Sequence, residues 1–112
     1  MGWIRHHGIV VTGDTDNDRL AKAHDLAKSI FPAVSAIVPG RLNASGSFLI
    51  PPDGSKEGWN DSDDGDAERQ RFIAGMADNW CSWIEYEHDV DNGTARIVRS
   101  SSDPDGGGQH GS

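Results

Sequence analysis

The chain has 112 residues, 35% of them hydrophobic and 25% charged, with four tryptophans. That length and composition suit one domain with a modest core and argue against wholesale disorder. A formal net charge of −8 opposes binding to nucleic acid or anionic lipid. The one cysteine, Cys81, excludes both an intramolecular disulfide and a zinc site of several cysteines.

No apolar run approaches the roughly 18 residues that a bilayer-spanning helix requires. The N-terminus, Met1-Gly2-Trp3-Ile4-Arg5-His6-His7, lacks the basic-then-apolar layout of a signal peptide. Met1-Gly2 does not fit a myristoylation signal either, because His6 stands where Ser or Thr is needed. The expected compartment is cytoplasm.

Residues 3–11 are rich in β-branched and aromatic types and predict a strand. Its apolar run Ile9-Val10-Val11 suits a central strand covered on both faces. Asp14, Asp16, Asn17 and Asp18 offer N-caps, and Leu20, Ala23, Ala27 and Ile30 recur at helical spacing. A helix over about 16–30 follows, stopped by Pro32. Residues 34–38 predict a short strand, and 47–50 another, ended by Pro51-Pro52-Asp53-Gly54.

Residues 55–66 then form a polar loop that holds Trp59. A second helix is predicted over about 64–78, with Phe72, Ile73, Met76 and Ala77 as its apolar stripe and Trp80 closing that face. Residues 82–88 alternate Trp83-Glu85-Glu87 against Ile84-Tyr86-His88, as a strand near a sheet edge does. Asn92-Gly93 marks a tight hairpin turn, because it tolerates the positive φ such turns demand. The last strand covers 94–99, and 100–112, without an apolar anchor, should be a disordered Ser/Gly/Asp tail.

The order β-α-β-β-α-β-β predicts an α+β domain over 1–99. Two helices would lie on one face of a mostly antiparallel sheet, in a ferredoxin-like plan with an added strand. That plan serves many functions and selects none.

Four constellations could carry chemistry. Asp14-x-Asp16-x-Asp18 with Asp25 resembles calcium-loop spacing, but Arg19 occupies the position where such a loop bends at glycine, so helix capping is the better reading. Residues 53–68 hold seven acids (Asp53, Glu57, Asp61, Asp63, Asp64, Asp66 and Glu68) against Lys56, a net −6 of the total −8. This is either an acidic lead into a helix, which the helix dipole favours, or a negative surface for a basic partner. The helix lead is the commoner reading; Trp59, between glycine and polar residues, keeps the second open, since such a tryptophan either folds back onto the core or serves as an interface anchor. His6 and His7 point to opposite faces of their strand, so only one of them can join a given site. No ligand spacing links either to His88 and Cys81, and no cofactor or metal is implied. Gly13, at a strand–helix junction, lacks the lysine-bearing phosphate motif and sits among acids that repel phosphate.

Trp3, His6-His7, the segment Ser47-Phe48-Leu49-Ile50-Pro51-Pro52-Asp53-Gly54-Ser55-Lys56-Glu57-Gly58-Trp59, and Ser62-Asp63-Asp64-Gly65-Asp66 resemble a group of small proteins of tailed bacteriophages and prophages. The resemblance runs over most of residues 1–99. It implies a viral gene product acting in bacterial cytoplasm, and it implies no catalytic residues.

The leading expectation is therefore an accessory protein that binds and modulates a bacterial host protein, such as a defence or nucleic-acid-processing factor. Its partner-binding residues would be Trp59, Asp61, Asp63, Asp64 and Asp66. One alternative is a small-ligand or nucleotide-sequestering protein built on His6, His7, Lys56 and Trp59, with the tryptophan stacking on a base. Another is a metal-dependent hydrolase using the loop carboxylates. A homo-oligomer through the strand after Asn92-Gly93 is also open, with Arg96 and Arg99 opposing it.

Overall fold

The computed structural model describes residues 5–52, 60–79, 81–89 and 92–103. Its elements run β1 (Arg5–Asp14), α1 (Arg19–Ile30), β2 (Val38–Pro39), β3 (Ser45–Ile50), α2 (Asn60–Gly75), β4 (Ser82–Asp89) and β5 (Thr94–Ser100). The five strands form one antiparallel sheet in the order β2-β3-β1-β4-β5. This is the predicted α+β, ferredoxin-like arrangement, with β5 added at one edge.

β1 is the central strand, as its β-branched run suggests. Ile9 and Val11 are fully buried beneath the helices, beside Phe48 and Ile50 of β3 and Trp83 of β4. Leu20, Ala23 and Ala27 of α1, Phe72 and Ile73 of α2 and Met76 in the turn after α2 close the core from above. Phe31 meets Phe72 edge-on, with ring centroids 5.9 Å apart, and ties the end of α1 to α2. Both helices lie on this one face. The expectation of cover on both sides of β1 therefore fails: Val10, between two buried neighbours, points to the uncovered face and is half-buried.

α1 begins three residues later than the sequence suggests. Asp18 takes the N-cap position without a side-chain cap bond, and Asn17 Oδ1 accepts from the Arg19 amide instead, at 3.0 Å. Asp18 turns to Lys22 across one helical turn, 3.1 Å away. The hydrogen bond and charge of Lys22 hold its carboxyl below the ordinary range. At the other end the Phe31 amide closes the last turn on Ala27, and Pro32 prevents continuation.

The predicted strand over 34–38 shrinks to Val38–Pro39. The reason lies in Ser35, whose hydroxyl accepts from the Leu49 amide at 2.8 Å while its own amide donates to the Leu49 carbonyl. A side chain thus replaces one backbone partner, and the segment follows β3 without joining the ladder. His24 Nε2, 2.8 Å from the Ser35 carbonyl, with its ring edge-on to Phe48, pins this segment to α1. The turn into β3 places Asn43 and Ala44 at φ 62° and 49°. The Ala44 carbonyl accepts from both the amide and the hydroxyl of Thr15, which holds this turn against the end of β1.

α2 begins at Asn60, four residues before the predicted start, so 60–66 is helix and not loop. Asp61, Asp63, Asp64 and Asp66 fall in its first two turns, where the helix dipole favours acids. The buried stripe runs Gly65, Arg69, Phe72, Ile73 and Met76, whereas Ala77 is exposed in the turn that follows. At the C-terminal side, β5 runs to Ser100. Residues 101–103 fold back, with the Ser101 amide bonded to the Trp83 carbonyl and Ser100 bridged to Asp103. The predicted tail is therefore ordered up to Asp103, and its remainder, 104–112, lies outside the described residues.

Candidate functional site

The start of α2 carries the acidic cluster. Asp64 and Asp66 are exposed there, and Asp61 and Asp63 share the same helical turns. Trp59 and Lys56 lie outside the described residues, as do Trp3 and Trp80. Asp64 and Asp66 differ in their neighbours. Asp66 Oδ1 accepts a hydrogen bond from Arg69 Nη2, one turn along, while Asp64 has no ion pair among the described residues.

Arg69 is the residue that sequence reasoning missed. It is 5% exposed, under α2, and reaches from Asp66 to Glu85 on β4, which is 2% exposed. Arg69 Nε lies 3.4 Å from Glu85 Oε2, and Arg99 Nε of β5 donates to Glu85 Oε1 at 2.6 Å. Arg99 Nη1 continues to Gln70 Oε1 at 2.5 Å. Side chains of three elements, α2, β4 and β5, are thus joined around one buried carboxylate. A second cluster lies two residues along β4, where Glu87 Oε1 accepts from Arg96 Nε at 3.0 Å and Oε2 lies 3.3 Å from His7 Nε2. Strand parity puts Trp83, Glu85 and Glu87 on the helix-facing side of β4, and a shift of register between Glu85 and Tyr86 brings Arg96 and Arg99, three positions apart, opposite Glu87 and Glu85 on β5.

These pairings fix the nearby cations. Arg69, Arg96 and Arg99 are engaged with carboxylates of the fold, whereas Asp64 is exposed.

A narrow cleft opens beside this end of α2. Phe31, Pro32, Ile50 and Pro51 supply its apolar wall, and His7, Glu68 and Arg69 its polar side. As bounded by the described residues it encloses about 70 Å³, room for a few waters but far less than a nucleotide occupies.

The residues of the ligand-binding alternative are divided by the sheet. His7 faces the helices beside Glu87, whereas His6 lies on the opposite face, its ring centroid 6.0 Å from that of His88. Cys81 is buried on the helix side near Gly13, so it does not join His6 and His88. Burial raises its thiol pKa, which disfavours the nucleophilic thiolate. The calcium-like spacing also disperses: Asp14 ends β1, Asp18 bonds Lys22, and Asp25 lies 3.8 Å from Lys28. Among the described residues no three His, Cys, Asp or Glu side chains gather as metal ligands. Nor is any helix there long and apolar enough to cross a membrane.

No protein-family model, no curated protein and no solved structure matches the chain.

Proposed function

We propose that this chain is a phage accessory protein that binds a bacterial host protein through the acidic surface at the start of α2, with Trp59 as the apolar anchor beside it. The observation that carries this reading is the imbalance of charge at that end. Residues 53–68 hold a net −6, and the nearest arginine, Arg69, is buried and engaged with Asp66 and Glu85. A basic protein surface is the complementary partner, and the charge would act mainly by accelerating encounter. Asp61, Asp63 and Asp64 are the recognition residues in this proposal. Asp66 contributes charge while also holding Arg69.

The test is a pull-down from bacterial lysate with the full chain, run with and without nuclease. Two variants accompany it: Trp59→Ala, and the triple change Asp61→Asn, Asp63→Asn, Asp64→Asn, which leaves the Asp66–Arg69 bond intact. A host protein retained after nuclease by the native chain and lost with either variant supports the proposal. Equal retention by all three forms refutes the surface assignment.

A further inference from the structure

The helices cover one face of the sheet, and the other face is unusual for so acidic a chain. Strand register places His6, Gly8, Val10 and Thr12 of β1 on it, with Leu49 and Val10 flanking one another across β3 and β1, and Ile84 beside Val10 on β4. Tyr86 and Ile97 form the next row beyond Gly8, and Val38 the far edge. Ile84, Ile97 and Val38 are 39%, 51% and 64% exposed. Between the His6 and Thr12 rows, the described residues of the five strands on this face include no Asp, Glu, Lys or Arg, and the carboxylate of Asp103, bridged to Ser100 beyond β5, borders it at the rim. An open antiparallel face normally carries polar and charged side chains. Gly8 adds flatness: a Cβ there would lie 2.5 Å from the Tyr86 hydroxyl oxygen, so the tyrosine ring lies across the glycine.

We infer that this uncharged face is a self-association surface, on which a second copy of the chain stacks sheet to sheet. The charge distribution selects that occupant. Two chains of −8 repel one another in most orientations, but face-to-face stacking brings together surfaces whose described strand residues include no Asp, Glu, Lys or Arg between the His6 and Thr12 rows, with Asp103 at the rim. Sheets pack about 10 Å apart, and the helix layers sit outward of them, so the two acidic α2 starts would stand on the order of 30 Å apart. That is well beyond the screening length of about 8 Å at physiological salt.

Area sets the strength. From His6 to Thr12 the face is about 20 Å long and at its widest about 24 Å across, narrowing where β3 pairs only from Ile50 and β2 only at Val38 and Pro39, so each copy contributes at most roughly 500 Å². The total, at most roughly 1,000 Å², falls in the range of weak, reversible interfaces. Such a dimer leaves both α2 surfaces outward. The inference does not depend on what α2 binds.

Sedimentation velocity of the full chain from about 1 µM to about 1 mM covers the concentrations at which a weak, reversible dimer forms. The native chain should pass from its 12.1 kDa monomer to twice that mass. Ile84→Glu and Ile97→Lys, each at a position already exposed, should weaken the dimer at least about tenfold by burying an unpaired charge in the interface. Leu42→Ser, at a residue 74% exposed in the turn between β2 and β3 and outside the paired rows of this face, should leave it unchanged. Thermal melts of each variant establish that the monomer is folded. A native chain that stays monomeric throughout overturns the inference. So does a dimer that survives both Ile84→Glu and Ile97→Lys, because it would be joined elsewhere, for example edge to edge at β5.

Discussion

Replacing Glu85 by alanine should be among the most damaging single changes available in this protein. Glu85 is 2% exposed and receives Arg99 at 2.6 Å and Arg69 at 3.4 Å. Removing it leaves Arg69, itself 5% exposed, as a buried cation whose remaining carboxylate among these contacts is Asp66. Breaking a buried ion pair from one side costs about 3–5 kcal/mol. Arg99 is 18% exposed and can turn toward water, and Asp66 still bonds Arg69, so the lower end of that range applies. For a domain of this size, about 3 kcal/mol lowers Tm by roughly 12–18 °C. Urea unfolding followed by tryptophan fluorescence measures the change directly. The double variant Glu85→Leu with Arg69→Leu removes both charges together and should recover at least about 2 kcal/mol relative to Glu85→Leu alone, because well-packed apolar groups replace a buried pair at little cost. A Glu85→Ala protein within about 0.5 kcal/mol of the native one would refute the claim that this carboxylate joins helix to sheet, since changes of that size are ordinary for surface positions.

Other outcomes follow from local geometry. Ala44→Gly should stabilise the fold by about 0.5–1 kcal/mol in the same urea assay, because Ala44 holds a φ of 49° that costs an L side chain more than glycine's extra freedom. Cys81 should resist iodoacetamide at pH 8 in the native protein and react once urea unfolds it, since burial raises its thiol pKa. The same shift makes a pH prediction: the protonated thiol is the form the fold favours. Its contribution is complete below the ordinary value of 9.0 and is lost as pH rises through the higher folded value, so Cys81→Ala should flatten only the alkaline limb of stability. Asp64→Asn should leave the thermal melt unchanged, whereas Asp66→Asn should cost about 1 kcal/mol by loosening Arg69.

The parts of the fold that could be read in advance are those set by local pattern. Leu20, Ala23 and Ala27 announce α1 by spacing alone, and Asn92-Gly93 turns as its chemistry requires, with Gly93 at φ 65°. The start of α2 was hidden because Asp-rich, glycine-containing sequence has weak helical preference; the packing of Gly65 and Arg69 against the sheet overrides it. The Arg69–Glu85 pair was illegible for a different reason. Its members are 16 positions apart on a helix and a strand, and charged residues in isolation read as solvent-facing. Parity offered one clue, since Glu85 shares its strand face with the apolar Trp83. The open face was obscured by Ile9-Val10-Val11, where a continuous apolar run suggests two covered sides and only strand pairing shows that Val10 lacks a helix above it. Of the proposed partner surface, the acids were plain in the sequence, but their helical placement and the engagement of Arg69 were not.

Whether the acids at the start of α2 recruit a basic host protein is decided by the association rate of the captured protein at two ionic strengths. Raising salt from about 50 to about 300 mM should slow association of the native chain at least about tenfold, with dissociation little changed. The variant with Asp61, Asp63 and Asp64 changed to Asn should associate slowly at both. An association rate indifferent to salt, and equal in the native and neutralised chains, would contradict the account.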